Sequence, residues 1–68
     1  MNKETMAKAF DLWMDEYLNH PERFEQMAAT IQRHLQERSD GSEHTYGESC
    51  TATLIAYCER IESEALAR

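Results

Sequence analysis

Apolar residues recur at helical spacing in three stretches of this chain. In the first, Met6, Ala7, Phe10, Trp13, Met14, Tyr17 and Leu18 share one side of a helix. At 100° per residue they fill an arc of roughly 140°. The sharpest line inside that arc is Met6, Phe10, Trp13 and Tyr17. The pattern predicts a helix over about 5–18. Leu12 falls on its wet face, with Asp11, Asp15 and Glu16 as the solvated acidic residues. A second stripe, Phe24, Met27, Ala28, Ile31 and Leu35, predicts a helix over about 21–38, with His34 at its edge. A third, Cys50, Leu54, Tyr57, Cys58, Ile61 and Ala65, widened by Ile55 and Leu66, predicts a helix over about 45–66.

The breaks between the stripes carry their own signals. In Asn19-His20-Pro21-Glu22, proline pushes His20 out of the α region, so His20 ends one helix and starts the next. Pro21 then takes the first helical position, where its missing N–H costs nothing. Asn19 suits a left-handed helix end. Ser39-Asp40-Gly41-Ser42-Glu43-His44 is polar throughout and reads as the one true loop. Thr45-Tyr46-Gly47-Glu48 matches a capping box: the Thr45 hydroxyl receives the Glu48 N–H, and the Glu48 carboxylate reaches back to the Thr45 amide. Gly47 would let a neighbouring backbone or ring come close. Glu59, Glu62 and Glu64 crowd the end of the third helix, where the dipole disfavours anions, so the last turn should fray unless Arg60 or a partner compensates.

The expectation is an all-α single domain over 1–68, with helices two and three as an antiparallel hairpin. Met6, Phe10, Trp13, Tyr17, Phe24, Ile31, Leu35, Leu54, Tyr57 and Ile61 are its core or dimer interface. A chain of 68 residues buries too little surface for an ample core, and a second copy would double it. The reading is therefore a homodimeric helical bundle. The short corner at Pro21 leaves open whether helix one packs within its own chain or across the dimer.

Charge narrows the function classes. Thirteen acidic residues against seven Lys and Arg give a net charge of −6. Phosphate-driven nucleic-acid binding and docking to anionic membrane both need clustered cations, so both are disfavoured. An acidic face that meets a basic protein surface is compatible with this balance, DNA mimicry being its extreme form. No run is apolar and long enough to span a bilayer, and no stretch resembles a secretory signal, so the cytoplasm is the expected location. Cys50 and Cys58 are separated by about 12 Å of helix rise, beyond disulfide reach, and read as free thiols.

Three constellations could carry chemistry, and each has a plainer reading. His34, His44, Cys50 and Cys58 are metal-ligand types, but no CxxC or HxxxH spacing joins them. Cys50 lies near a helix start with His44 nearby in sequence, yet it falls on the apolar stripe, where small buried Cys is common. Asp11, Asp15 and Glu16 imply no pocket for acid–base work. No catalytic residue, metal or cofactor is assigned, and an enzyme is not expected.

Phe10-Asp11-Leu12-Trp13-Met14-Asp15-Glu16-Tyr17-Leu18-Asn19-His20-Pro21-Glu22-Arg23-Phe24, followed by Thr45-Tyr46-Gly47-Glu48-Ser49-Cys50-Thr51-Ala52-Thr53-Leu54, resembles small phage and prophage accessory proteins with an aromatic helix, an Asn-Pro-Glu corner and a Tyr-Gly-Glu helix start. Here His20 intervenes between Asn and Pro, which shifts the corner by one residue. In size and pattern the chain is similar to phage-encoded quorum-sensing anti-activators. That resemblance implies a small helical homodimer that binds a host regulatory protein, and it assigns no individual site residue. The residues expected to meet a foreign partner are Asp11, Met14, Asp15 and Leu18, at the edge of the first stripe. A DNA mimic or nucleic-acid-linked regulator, and an assembly module with no inhibitory role, are the alternatives.

Overall fold

The computed structural model describes residues 2–38 and 45–67. Among the described residues the chain is helical, with α1 at Lys3–Asn19, α2 at Pro21–Gln26, α3 at Ala28–Arg38 and α4 at Tyr46–Leu66. The expected polar loop, Ser39 to His44, lies outside the described residues, and His44 with it.

Local chemistry sets the helix ends. Asn2 caps α1 by accepting the Thr5 N–H at 2.8 Å, which starts the helix two residues earlier than the apolar pattern alone suggests. His20 ends α1 through a backbone bond to the Glu16 carbonyl at 2.9 Å and precedes Pro21, the first residue of α2. Asn19 stays helical, and its side-chain amide donates to Asp15 Oδ1 at 3.0 Å. At α4 the Thr45 hydroxyl accepts the Glu48 N–H at 3.1 Å. The Glu48 carboxylate returns to the Thr45 hydroxyl rather than to its amide.

The expected second helix is two helices. At Met27 the backbone stays in the α region, but its N–H bonds back three residues to Phe24 at 3.0 Å, a tighter turn that ends α2. No Gly or Pro marks this point in the sequence. Met27 is buried against Ala9, Ala56 and Tyr57, so tertiary packing coincides with the break where local propensity offers no cause.

α4 is the central element and packs against both α1 and α3. Its buried arc is therefore wider than one stripe and takes in Ala52, Thr53, Ala56, Tyr57 and Cys58. Thr53 satisfies its hydroxyl by donating to the Ser49 carbonyl at 2.8 Å. Leu12, Trp13, Phe24, Ile31, Leu54 and Ile61 lie against the buried cluster, and Leu35 is buried as well. Gly47 brings nothing close: a Cβ there would meet only the Thr45 hydroxyl at 3.9 Å. Two of the three carboxylates that crowd the end of α4, Glu59 and Glu64, are paired. Arg60 holds Glu64 at 3.2 Å, and Arg33 with His34 holds Glu59.

α1 presents a different side to the core than its apolar pattern implies. Ala9 is fully buried and Glu16 is 1 % exposed, while Phe10 and Tyr17 are 50 % and 56 % exposed. Leu12 and Glu16, expected on the wet face, turn inward. The buried side is rotated by about 80° from the Met6, Phe10, Trp13, Tyr17 line, counting 100° per residue. Only Trp13 belongs to both.

Candidate functional site

Two sites follow from this rotation, one inside the α1–α4 seam and one outside it. In the seam, Glu16 Oε1 accepts from the Tyr57 hydroxyl at 3.0 Å and from Arg60 Nη1 at 2.9 Å. The Arg60 guanidinium also lies 5.9 Å from the centre of the Tyr57 ring. Burial, and then the Glu16 hydrogen bond, push the Tyr57 phenol above its ordinary range. The hydrogen bond to Glu16 holds the Arg60 guanidinium more firmly protonated still. Glu16 Oε2 takes no hydrogen bond from any described residue. A buried carboxylate is tolerated because a cation and a hydroxyl meet its other oxygen. The arrangement joins α1 to α4. Its carboxylate and phenol are buried, while Arg60 is partly exposed.

A second polar link joins α3 to α4. Arg33 Nη2 donates to both Glu59 oxygens at 2.8 and 2.9 Å, and His34 Nε2 lies 2.7 Å from Oε2. The Arg33 hydrogen bond, followed by that of His34, holds the Glu59 carboxyl below its ordinary range. This link is exposed, and its geometry is that of a surface clamp.

The outer site is an apolar groove of about 340 Å³, lined by Trp13, Met14, Tyr17, Phe24, Tyr46, Ser49, Cys50 and Thr53. It runs between the outer side of α1, the start of α2 and the first turns of α4. Its walls are fixed by aromatic contacts. Tyr17 meets Phe24 edge-to-face at 5.2 Å, and Phe10 meets Trp13 in the same way at 5.9 Å. Of the lining residues Tyr46 is 87 % exposed, and Leu18, next to Tyr17 in sequence, is 71 % exposed. Among the described residues, none that lines the groove is charged.

Of the residues expected at a partner surface, Met14 lines the groove and Leu18 is exposed. Asp11 and Asp15 are exposed on the same helix. Tyr17 and Trp13 line the groove, whereas Phe10 and Met6 are exposed. Tyr46, Ser49, Cys50 and Thr53 were not singled out as a partner surface. Tyr46 precedes the third stripe, and only the packing of α4 on α1 brings it opposite Tyr17. Cys50 lines the groove as a free thiol, while Cys58 is a buried thiol whose deprotonation is opposed by burial and by the Glu62 charge. Among the described residues no three His, Cys, Asp or Glu side chains gather as metal ligands, and no helix is long and apolar enough to cross a membrane.

No known protein family, curated protein or solved structure matches this chain.

Proposed function

We propose that this chain is a protein-docking modulator that works by covering a surface on another protein. The observation that carries the reading is the uncharged aromatic groove on the outer side of α1, flanked by half-exposed Phe10 and Tyr17. A small acidic chain that leaves this much aromatic surface in water has a reason to cover it. Inhibition of a host regulatory protein or enzyme, in the manner of a phage accessory protein, is the form of docking suggested by the sequence resemblance alone. The antiparallel sense of the α3–α4 pair and a cytoplasmic setting belong to the same proposal.

A second reading is a homodimer. It is favoured by apolar residues left exposed outside the groove, Met6 at 39 % and Leu66 at 88 %. Light scattering at high micromolar concentration tests this second reading, which is compatible with docking by a dimer. A dimer has twice the 8.0 kDa mass of one chain, and a monomer mass removes the homodimer.

The docking reading is tested by affinity capture from host cytosol with the wild type and with Phe10→Ser/Tyr17→Ser. Each side chain is half-buried and has an edge-to-face partner, so a loss of about 1–2 kcal/mol per site is expected, and circular dichroism must show that the variant is folded. The expected result is a protein captured by the wild type and lost from the folded variant. Equal capture by both, or capture of nothing beyond self, overturns the reading.

A further inference from the structure

We infer that the outer groove takes a basic amphipathic helix from the partner, with apolar side chains in the groove and cations along the acidic edge of α1. The inference rests on the docking reading and names the chemistry of its partner.

Three observations point to it. The groove lies between helices and is lined by Trp13, Met14, Tyr17, Phe24 and Tyr46, a shape and chemistry suited to a row of side chains at helical spacing. An added strand would need an unpaired strand edge, and the described residues contain no strand. The edge of the exposed apolar side is acidic. Asp11 and Asp15 are one helical turn apart, each three residues before an apolar neighbour, Met14 and Leu18.

Three of the chain's cations are paired within it: Arg60 is held by Glu16 and Glu64, Arg33 by Glu59, and Lys8 by Glu4 at 3.3 Å. Arg23, next in sequence to groove-lining Phe24, is in none of these pairs. A partner helix with Lys or Arg beside its apolar row meets opposite charge at exposed Asp11 and Asp15 and gains steering as well as selection. A second copy of this chain would bring its own −6 charge and the same two aspartates to the contact. Like charges across an interface oppose that pairing. The charge pattern thus favours a basic helix over self-association at this groove.

The probes are two fluorescein-labelled helical peptides of about 18 residues, five turns. They share one leucine face and differ only in lysine or glutamate along its flanks. Binding is read by anisotropy and by the emission of Trp13, the one tryptophan of the chain. The lysine peptide should bind and shift Trp13 emission, with the glutamate peptide weaker by about tenfold or more at low salt. Asp11→Asn/Asp15→Asn should remove most of that difference. Glu4→Gln/Glu62→Gln, with the same change in net charge away from the groove, should keep it.

Equal binding of both peptides to the wild type would overturn the charge selection while leaving apolar docking in place. Equal loss of selection in both double variants would reduce the effect to net charge and overturn the inference. A lysine peptide that leaves Trp13 emission unchanged would overturn the groove as its seat. Cytosolic capture with the Phe10→Ser/Tyr17→Ser pair then decides the docking reading separately.

Discussion

The two sides of α1 are inverted with respect to ordinary expectation. The side packed on α4 holds an alanine and a glutamate, Ala9 and Glu16, both essentially without exposure. The outer side holds Phe10 and Tyr17, half in water. The inner side uses small size and hydrogen bonding: Ala9 lets the helices approach, and Glu16 reaches Tyr57 and Arg60. The outer side uses area. On α1, therefore, the rings of Phe10 and Tyr17 are offered outward, and the seam at Ala9 and Glu16 is set by fit.

The sharpest way to break this contrast is Glu16→Ala. It strips the Tyr57 hydroxyl and Arg60 of their shared acceptor and leaves a gap in the seam. Removing one member of a wholly buried pair costs about 3–5 kcal/mol. The Arg60 side chain is 32 % exposed and keeps Glu64, so a loss nearer about 2–3 kcal/mol is expected. Urea unfolding measures it, and a loss below that of Phe10→Ser would contradict the inversion.

Ala9→Leu probes the same seam by size. Ala9 has no exposed surface, so the added carbons must push α1 away from α4 at a cost of about 1–3 kcal/mol. A neutral or stabilising result would mean that the seam has room and that close approach is not what Ala9 provides.

The smallest effect belongs to the exposed α3–α4 clamp and is read as a pH slope. The Glu59 carboxyl is held below its ordinary range by Arg33 and His34. Its stabilisation is complete above the unfolded carboxyl range and is lost as the pH falls through the lower folded value. Glu59→Gln should flatten that acid-side slope slightly. An unchanged slope would show that the clamp, unlike the Glu16 seam, contributes nothing measurable.

Much of the scaffold was legible because its signals are local. Pro21 fixed the corner between α1 and α2, and the Thr45–Glu48 pair fixed the start of α4. The division at Met27 was not legible, because no residue there disfavours helix and its buried surroundings are built by distant residues. The inward turn of Glu16 was not legible for a related reason. A periodicity count ranks Phe10 and Tyr17 as interior and Glu16 as solvated, and the choice of side depends on Tyr57 and Arg60, more than forty positions away. The groove was half legible. Trp13, Met14 and Tyr17 announced an apolar side, but Tyr46 and Cys50 join it only through the packing of α4.

The buried carboxylate has a mechanical consequence. A helix held only by interchangeable aliphatic contacts can roll on its neighbour at little cost. Rolling α1 by one residue would carry Glu16 out of its hydrogen bonds and swing Tyr17 toward the core. Glu16 thus acts as an index pin that admits one rotational setting of α1. The outer aromatic rings are therefore already oriented when a partner arrives, and association need not spend free energy on ordering them.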